Sequence, residues 1–187
     1  MVLKMARFED LPEIKAAQDI INIYHYTKDN LPVNIRQIIV DKNIIVKEVN
    51  LPDDISGVLD TRADRPIILV QKKHDKKRKR FSLAHELGHF VLNSSPRGVH
   101  LDRNTYFRSN LSSIGTDIEE KKANRFAAEL LMPSDILWEI LMNDMPDLID
   151  VEEAEGLKAL KDLAKKFEVS VAALTIKISG VLKGKGF

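Results

Sequence analysis

The chain has no cysteine. Disulfides and thiolate metal sites are therefore excluded, and any bound metal must be held by nitrogen and oxygen. No apolar run approaches the roughly 20 residues that a membrane span needs. The first residues, MVLKMARFEDLPEIK, lack the apolar stretch of a secretory signal. The expectation is a cytoplasmic protein without a membrane anchor. An excess of charge is also missing. Lys and Arg number 29 against 28 Asp and Glu, a net charge of +1, so no global field draws the chain to nucleic acid or lipid. Internal repeats and low-complexity segments are absent. What is present is a hydrophobic content of 44% in 187 residues, enough for one domain or one domain with a small appendage.

Apolar spacing predicts a helix over 11–28, with Pro12 in its first turn and Ile14, Ala17, Ile20, Ile21 and Tyr24 on one face. A short helix over 33–41 has Asn34 as its cap. The β-branched stretch at 43–49 and the stretches at 55–60 and 66–72 predict three strands, a small and mostly antiparallel sheet packed on the helix that follows. The last of these strands is read as an edge that could pair with an extended peptide. Residues 94–116 are polar and predict a loop. Helices are expected over 117–131, from Pro133 to about Asn143, over 157–167 and over 170–182, with an acidic connector between the second and third of these.

The stretch FSLAHELGHFVLN (81–93) carries H-E-x-x-H. At 3.6 residues per turn, His85 and His89 project from one helix face and can chelate one ion. Glu86 lies about 100° round from His85, where the general base of a metallohydrolase belongs. Two histidines on a half-buried face are the plain alternative, and this motif arises by chance in roughly one such chain in a hundred. Context favours the metal. Ser82 is read as the N-cap, with Phe81 as a hydrophobic staple. Leu83, Ala84, Leu87, Phe90, Val91 and Leu92 bury the helix, and buried polar groups need partners. Gly88 costs about 1 kcal/mol of helix propensity, which a close backbone approach would explain.

A third protein ligand is required. A histidine six residues after His89 is excluded, since Ser95 stands there. His100 lies in the polar stretch and is expected to face solvent. DIEEKKANRFAAELLMP (117–133) offers Glu119 and Glu120, on opposite flanks of a face formed by Ala123, Phe126, Ala127, Leu130 and Leu131. Asn124, one turn after Glu120, could accept a hydrogen bond from the far nitrogen of a ligand histidine and set its tautomer. A surface glutamate and a capping asparagine are the alternative.

RFSLAHELGHFVL followed about thirty residues later by EKKANRFAAELLMP closely resembles the ImmA/IrrE family of metallopeptidases of bacteria, phages and mobile elements. The family pattern is R-F-[ST]-L-A-H-E-[LI]-G-H, then E-x-x-A-N-x-F-A-x-x-L-L-M-P. The order of elements before the motif is similar too, so the resemblance covers about residues 11–137. It implies an α+β fold with a zincin core of the thermolysin-like, gluzincin type, and a C-terminal helical appendage like a helix-turn-helix. The implied division is a zinc metallopeptidase domain at 1–145 and a helical region at 146–187. By position, His85, His89 and Glu120 would bind zinc, with manganese as the alternative. Glu86 would be the catalytic base and Asn124 would support a ligand histidine. His100, Tyr106 and Arg108 are candidates for oxyanion or substrate contact.

The resemblance further implies a metalloendopeptidase whose protein substrate is an XRE-type helix-turn-helix repressor, cleaved to derepress stress, prophage or mobile-element genes, in some members beside toxin–antitoxin-like pairs. The rival is a DNA- or protein-binding regulator with a non-catalytic zincin fold. Two features invite it. KKHDKKRKR (72–80) has seven basic residues in nine, read as a solvated hairpin or loop at the start of the metal helix. In residues 162–182, Leu163, Ala164, Val169 and Leu174 follow helix-turn-helix spacing, with Ser170 as an N-cap. Glu168, however, stands at the turn position usual for glycine, and Lys177 where an apolar residue would pack. The intact H-E-x-x-H favours the enzyme, with weak or no direct DNA binding and no membrane partner.

Overall fold

Helices form near the spans that apolar spacing predicts, and Asn34, Asp75 and Ser170 cap three of them. The computed structural model describes residues 10–92, 98–103, 114–145 and 153–184, with backbone alone at 103, 114–117 and 153–154. The chain divides into two compact units: Asn34–Ala127, and Met1–Val33 together with Ala128–Phe187. No helix among the described residues is long and apolar enough to cross a membrane.

Unit Asn34–Ala127 carries the H-E-x-x-H helix. Helix α2 (Ile35–Asp41) starts at Asn34, whose side chain accepts a hydrogen bond from the Gln37 backbone N–H at 3.1 Å. It buries Ile35, Ile38 and Ile39. Strands β1 (Ile45–Val49), β2 (Ile55–Asp60) and β3 (Ile67–Gln71) lead to α3 (Lys76–Val91). Strand β4 (Val99–Arg103) and the first part of α4 (Ile114–Leu131) complete the unit. Helix α3 packs on β2, β3 and α2. Leu59, Ile68, Val70, Leu83, Ala84 and Leu87 are buried in this unit.

The sheet differs from the three-stranded expectation. It has four strands in the order β1-β3-β2-β4. Strand β1 runs parallel to β3, while β2 is antiparallel to both β3 and β4. The sheet is therefore mixed. Strand β3 is interior, with both sides paired, so it is not the edge that the sequence reading made it. The extra strand is VHLDR, inside the stretch expected to be loop. Its alternation of apolar and polar residues is short and flanked by Ser, Pro and Arg, which masks it. Its start is tied to the end of β2: the Gly98 N–H donates to Thr61 Oγ1 at 2.9 Å, and the Thr61 N–H donates to the Gly98 carbonyl at 2.9 Å.

Helix α3 also begins earlier than expected. Asp75 is the N-cap, accepting from the Lys77 and Arg78 N–H groups at 2.9 and 3.1 Å. Ser82 is buried inside the helix instead of capping it. Most of the basic run is thus helical. Its unfavourable position at a helix N-terminus is offset by the anionic cap and by Glu48, which accepts from Lys79 Nζ at 2.8 Å and pairs with Arg36.

The second unit contains α1 (Pro12–Ile23), the end of α4, α5 (Ser134–Glu139) running into a π-helical turn (Ile140–Asp144), α6 (Glu153–Lys166) and α7 (Val171–Gly184). Helix α1 buries Ile14, Ala17, Ile20 and Ile21 of the face its spacing marks out, but it ends at Ile23, short of the expected 28, and Tyr24 is its half-buried C-cap. Helix α6 begins about one turn before the expected start, inside the acidic connector, where Glu155 suits the positive end of the helix dipole. Glu168, between α6 and α7, adopts a left-handed φ of 54°, the conformation for which glycine is the usual choice. Ser170 accepts from the Ala173 N–H at 3.1 Å and caps α7.

Lys177 finds its reason here. Its Nζ donates to Glu129 Oε2 at 2.5 Å and to Ser134 Oγ at 2.9 Å, and all three residues are buried. Glu129 also accepts from the Ser134 N–H and hydroxyl, so it caps α5 while neutralising α7. Removing one partner of a buried ion pair costs about 3–5 kcal/mol, because the other charge stays buried. Lys177→Ala should therefore lower the melting temperature by roughly 10 °C, at about 2–4 °C per kcal/mol for a chain this size. Lys177→Met combined with Glu129→Gln should recover most of that loss. Thermal unfolding followed by circular dichroism checks both, and an unchanged transition in Lys177→Ala would remove the pair from the stability account.

Candidate metal centre

Helix geometry brings the first two residues together. His85 and His89 sit one turn apart on α3, with their Nε2 atoms 3.0 Å apart. Both are buried to 1% exposure, within a buried stretch from Ser82 to His89. Helix α4 supplies the third group. Glu120 Oε2 lies 3.4 Å from His85 Nε2, and Glu120 Oε1 lies 3.5 Å from His89 Nε2. The ligand atoms of His85, His89 and Glu120 all lie within 4.8 Å of one another. Glu119 points elsewhere and pairs with Lys122 at 2.8 Å.

Gly88 lets the two helices come this close. A Cβ on Gly88 would lie 2.9 Å from Phe126 Cδ1 and 3.3 Å from the Ala123 Cα and carbonyl oxygen. This is the close backbone approach that a glycine inside a helix suggested. One turn beyond Glu120, Asn124 Oδ1 lies 3.0 Å from His85 Nδ1. An amide oxygen can only accept, so His85 carries a proton on Nδ1, which leaves Nε2 as the nitrogen a metal would take.

The donor set suits a divalent cation. Two facing Nε2 atoms at 3.0 Å can share only one proton. His89 Nδ1 is buried with no hydrogen-bond partner among the described residues. Burial pushes the His89 pKa down, favouring the neutral ring that a metal binds. Burial alone would raise the pKa of Glu120, but the surrounding imidazoles, His100 first and then His85 and His89, hold it well below the usual carboxylate range. Burial opposes the charged form of His85 too, but Glu120, Asp102 and Glu86 raise its pKa, so a metal bound there would displace a proton. A carboxylate and two imidazoles form the nitrogen-and-oxygen set that zinc accepts.

His100 corrects an expectation. It does not face solvent: its side chain is only 15% exposed. Strand β4 places it opposite Leu59 of β2, on the face that α3 covers. Its Nδ1 contacts Glu86 Oε2 at 3.2 Å and its Nε2 contacts Glu120 Oε1 at 2.7 Å. Its ring stacks on His89 with centroids 3.6 Å apart. Burial opposes its charged form, yet Glu120 and Glu86 outweigh that and raise its pKa to about 9. Tyr106 and Arg108 lie outside the described residues.

Glu86 is wholly buried between α3 and the sheet. Burial pushes its pKa up, against the hydrogen bond from His100. Its Oε1 has no hydrogen-bond partner among the described residues. Two neighbours escaped the sequence reading: Gly57 on β2, against which this carboxylate rests, and Asp102 on β4, whose charge reaches both His85 and Glu86. The available signals were the glycine within a β-branched stretch and the alternation of VHLDR.

Comparison with known proteins agrees with the motifs. The sequence profile of Peptidase_M78, described as the IrrE N-terminal-like domain, matches residues 41–179. A search of curated proteins finds no match. Among solved structures, a Mycobacterium tuberculosis transcriptional regulator is similar at 14% identity with a TM-score of 0.48. That alignment covers 87% of this chain, which spans half the length of the regulator's chain. The profile match takes in the H-E-x-x-H helix, β4, Glu120 and Asn124 together, and with it the chain belongs to the ImmA/IrrE family of metallopeptidases.

Proposed function

We propose that this chain is a zinc-dependent metalloendopeptidase, and that its substrate is a helix-turn-helix transcriptional repressor. The observation that carries the reading is the convergence of His85, His89 and Glu120 within 4.8 Å, with the buried carboxylate of Glu86 beside them. His85, His89 and Glu120 would hold the metal, and Asn124 would keep His85 in the required tautomer. Zinc at such a site supplies a Lewis acid that polarises a peptide carbonyl and makes water easier to deprotonate.

The chain's own groups handle the proton. Glu86 accepts it from water at Oε2, the oxygen on the side of His100. The hydroxide so formed adds to the peptide carbonyl carbon. The carbon–nitrogen bond then breaks as Glu86 returns the proton to the departing amine. His100 holds the Glu86 carboxylate through Nδ1, and its Nε2 would reach the oxygen that gains negative charge during the addition only by leaving Glu120. We assign catalysis to residues 1–145 and a packing or partner-docking role to the helices of 146–187.

The test is cleavage of a helix-turn-helix repressor encoded beside the gene, by the purified chain with zinc. Two fragments should appear, and a chelator should prevent them. The second reading, a DNA-binding regulator, rests on the exposed Lys72, Lys73, Lys76 and Lys77 around the start of α3. Phosphate binding weakens steeply with salt, as each neutralised phosphate releases counterions. We expect weak, sequence-independent DNA binding, with a salt slope that flattens when Lys73, Lys76 and Lys77 are changed to Ser and with cleavage retained. Tight, sequence-selective shifts in a gel assay would reverse the ranking.

A further inference from the structure

We propose that Gly57 is a positioning residue for Glu86: its bare Cα is the seat of the Glu86 carboxylate. This rests on the reading of Glu86 as the base. The observation is steric. A Cβ built on Gly57 would lie 2.7 Å from Glu86 Oε1, 3.1 Å from its Cγ and 3.3 Å from its Cδ. The first distance is closer than carbon and oxygen tolerate, so either the carboxylate or β2 must move.

The backbone conformation does not call for a glycine there. Gly57 is not in the left-handed region, so any residue could adopt its backbone conformation. It sits within a buried strand, where a glycine weakens pairing and leaves no side chain to pack. The neighbouring ladder is adjusted as well. The pairing of β2 with β4 shifts register between Ile55 and Gly57, an irregularity of the kind that re-aims residues beside functional sites. Beyond it, Gly57 lies opposite Asp102 and Leu59 opposite His100, so the bare position and the His100 ring lie on one face of the sheet.

The carboxylate of Glu86 is thereby held from two sides. Oε1 rests against Gly57 with no hydrogen-bond partner among the described residues, and Oε2 is contacted by His100 Nδ1. A methyl group at position 57 would drive the carboxylate off its seat. The contact with His100 would lengthen, and Oε2 would leave the place from which it takes a proton. Because the ligands His85, His89 and Glu120 come from α3 and α4, metal content should not change.

The test is a double-mutant cycle on the full chain, with a readout that does not need activity. Thermal unfolding is measured after chelator treatment for wild type, Gly57→Ala, Glu86→Ala and the double variant. Overpacking by one methyl should lower the melting temperature of Gly57→Ala by about 2–10 °C in the wild-type background. In the Glu86→Ala background, with the obstructing carboxylate gone, the same change should cost less than about 1 °C. Equal losses in both backgrounds would overturn the proposal. If Gly57→Ala does not fold, recovery in the double variant supports the seat, and failure of both overturns it. With zinc and a cleavable repressor, Gly57→Ala should lose roughly 10–100-fold in kcat with KM within about twofold. An unchanged kcat would also overturn it. A chain that cleaves nothing in any form would sink the peptidase reading, while the unfolding cycle still decides the seat.

Discussion

Glu86→Gln should stop cleavage while leaving the metal in place. The substitution keeps the shape and volume of the side chain but removes the proton acceptor. Loss of a positioned general base typically costs about 10²–10⁴-fold in rate. Because Glu86 is wholly buried and contacts His100 through Oε2, the amide should occupy the same space and keep that contact through its carbonyl oxygen. Metal content should stay near one ion per chain, and a repressor substrate should still bind, so the variant should act as a substrate trap. The measurements are single-turnover cleavage, metal analysis and pull-down of the repressor. Cleavage at the wild-type rate would end the mechanism proposed for this site.

Glu120→Ala should empty the centre. With only His85 and His89 left, the divalent ion loses its one anionic ligand. The loss in affinity should exceed the roughly 10–100-fold expected when an outer contact such as Asn124 is removed. Glu119→Ala is the control. Glu119 is adjacent in sequence but pairs with Lys122 at a half-exposed position, so its removal should leave metal content unchanged. Metal analysis after dialysis distinguishes the two. Full occupancy in Glu120→Ala, with loss in Glu119→Ala, would transfer the third ligand to the neighbouring residue.

The choice between Glu119 and Glu120 shows where local reasoning ends. Residues 117–133 place the two carboxylates on opposite flanks of one apolar face, and helix periodicity alone does not say which flank meets α3. The family pattern pointed to Glu120. The physical reason is the crossing of α3 and α4 at Gly88, where Phe126 and Ala123 fill the space that a side chain would take. Lys177 is a similar case. Its position in α7 was legible as an anomaly, but its partner Glu129 lies 48 residues away.

What the sequence determined by itself is local and periodic. Helical spacing alone puts His85 and His89 on one face with Glu86 beside them, because four residues make about one turn. Asn34 as a cap, the buried face of α1 and the span of β2 follow from chemistry within a few residues. Tertiary structure decided the rest. Strand β1 pairs in parallel with β3, so β3 is interior, a fact no single strand encodes. The pairing of β4 with β2 takes His100 from an expected loop to a place between Glu86 and Glu120. Since a strand's side chains alternate faces, a shift of one residue in that register would have turned His100 away from the centre. Such placements depend on contacts between segments far apart in the chain, and those exist only once the sheet and the helices have packed.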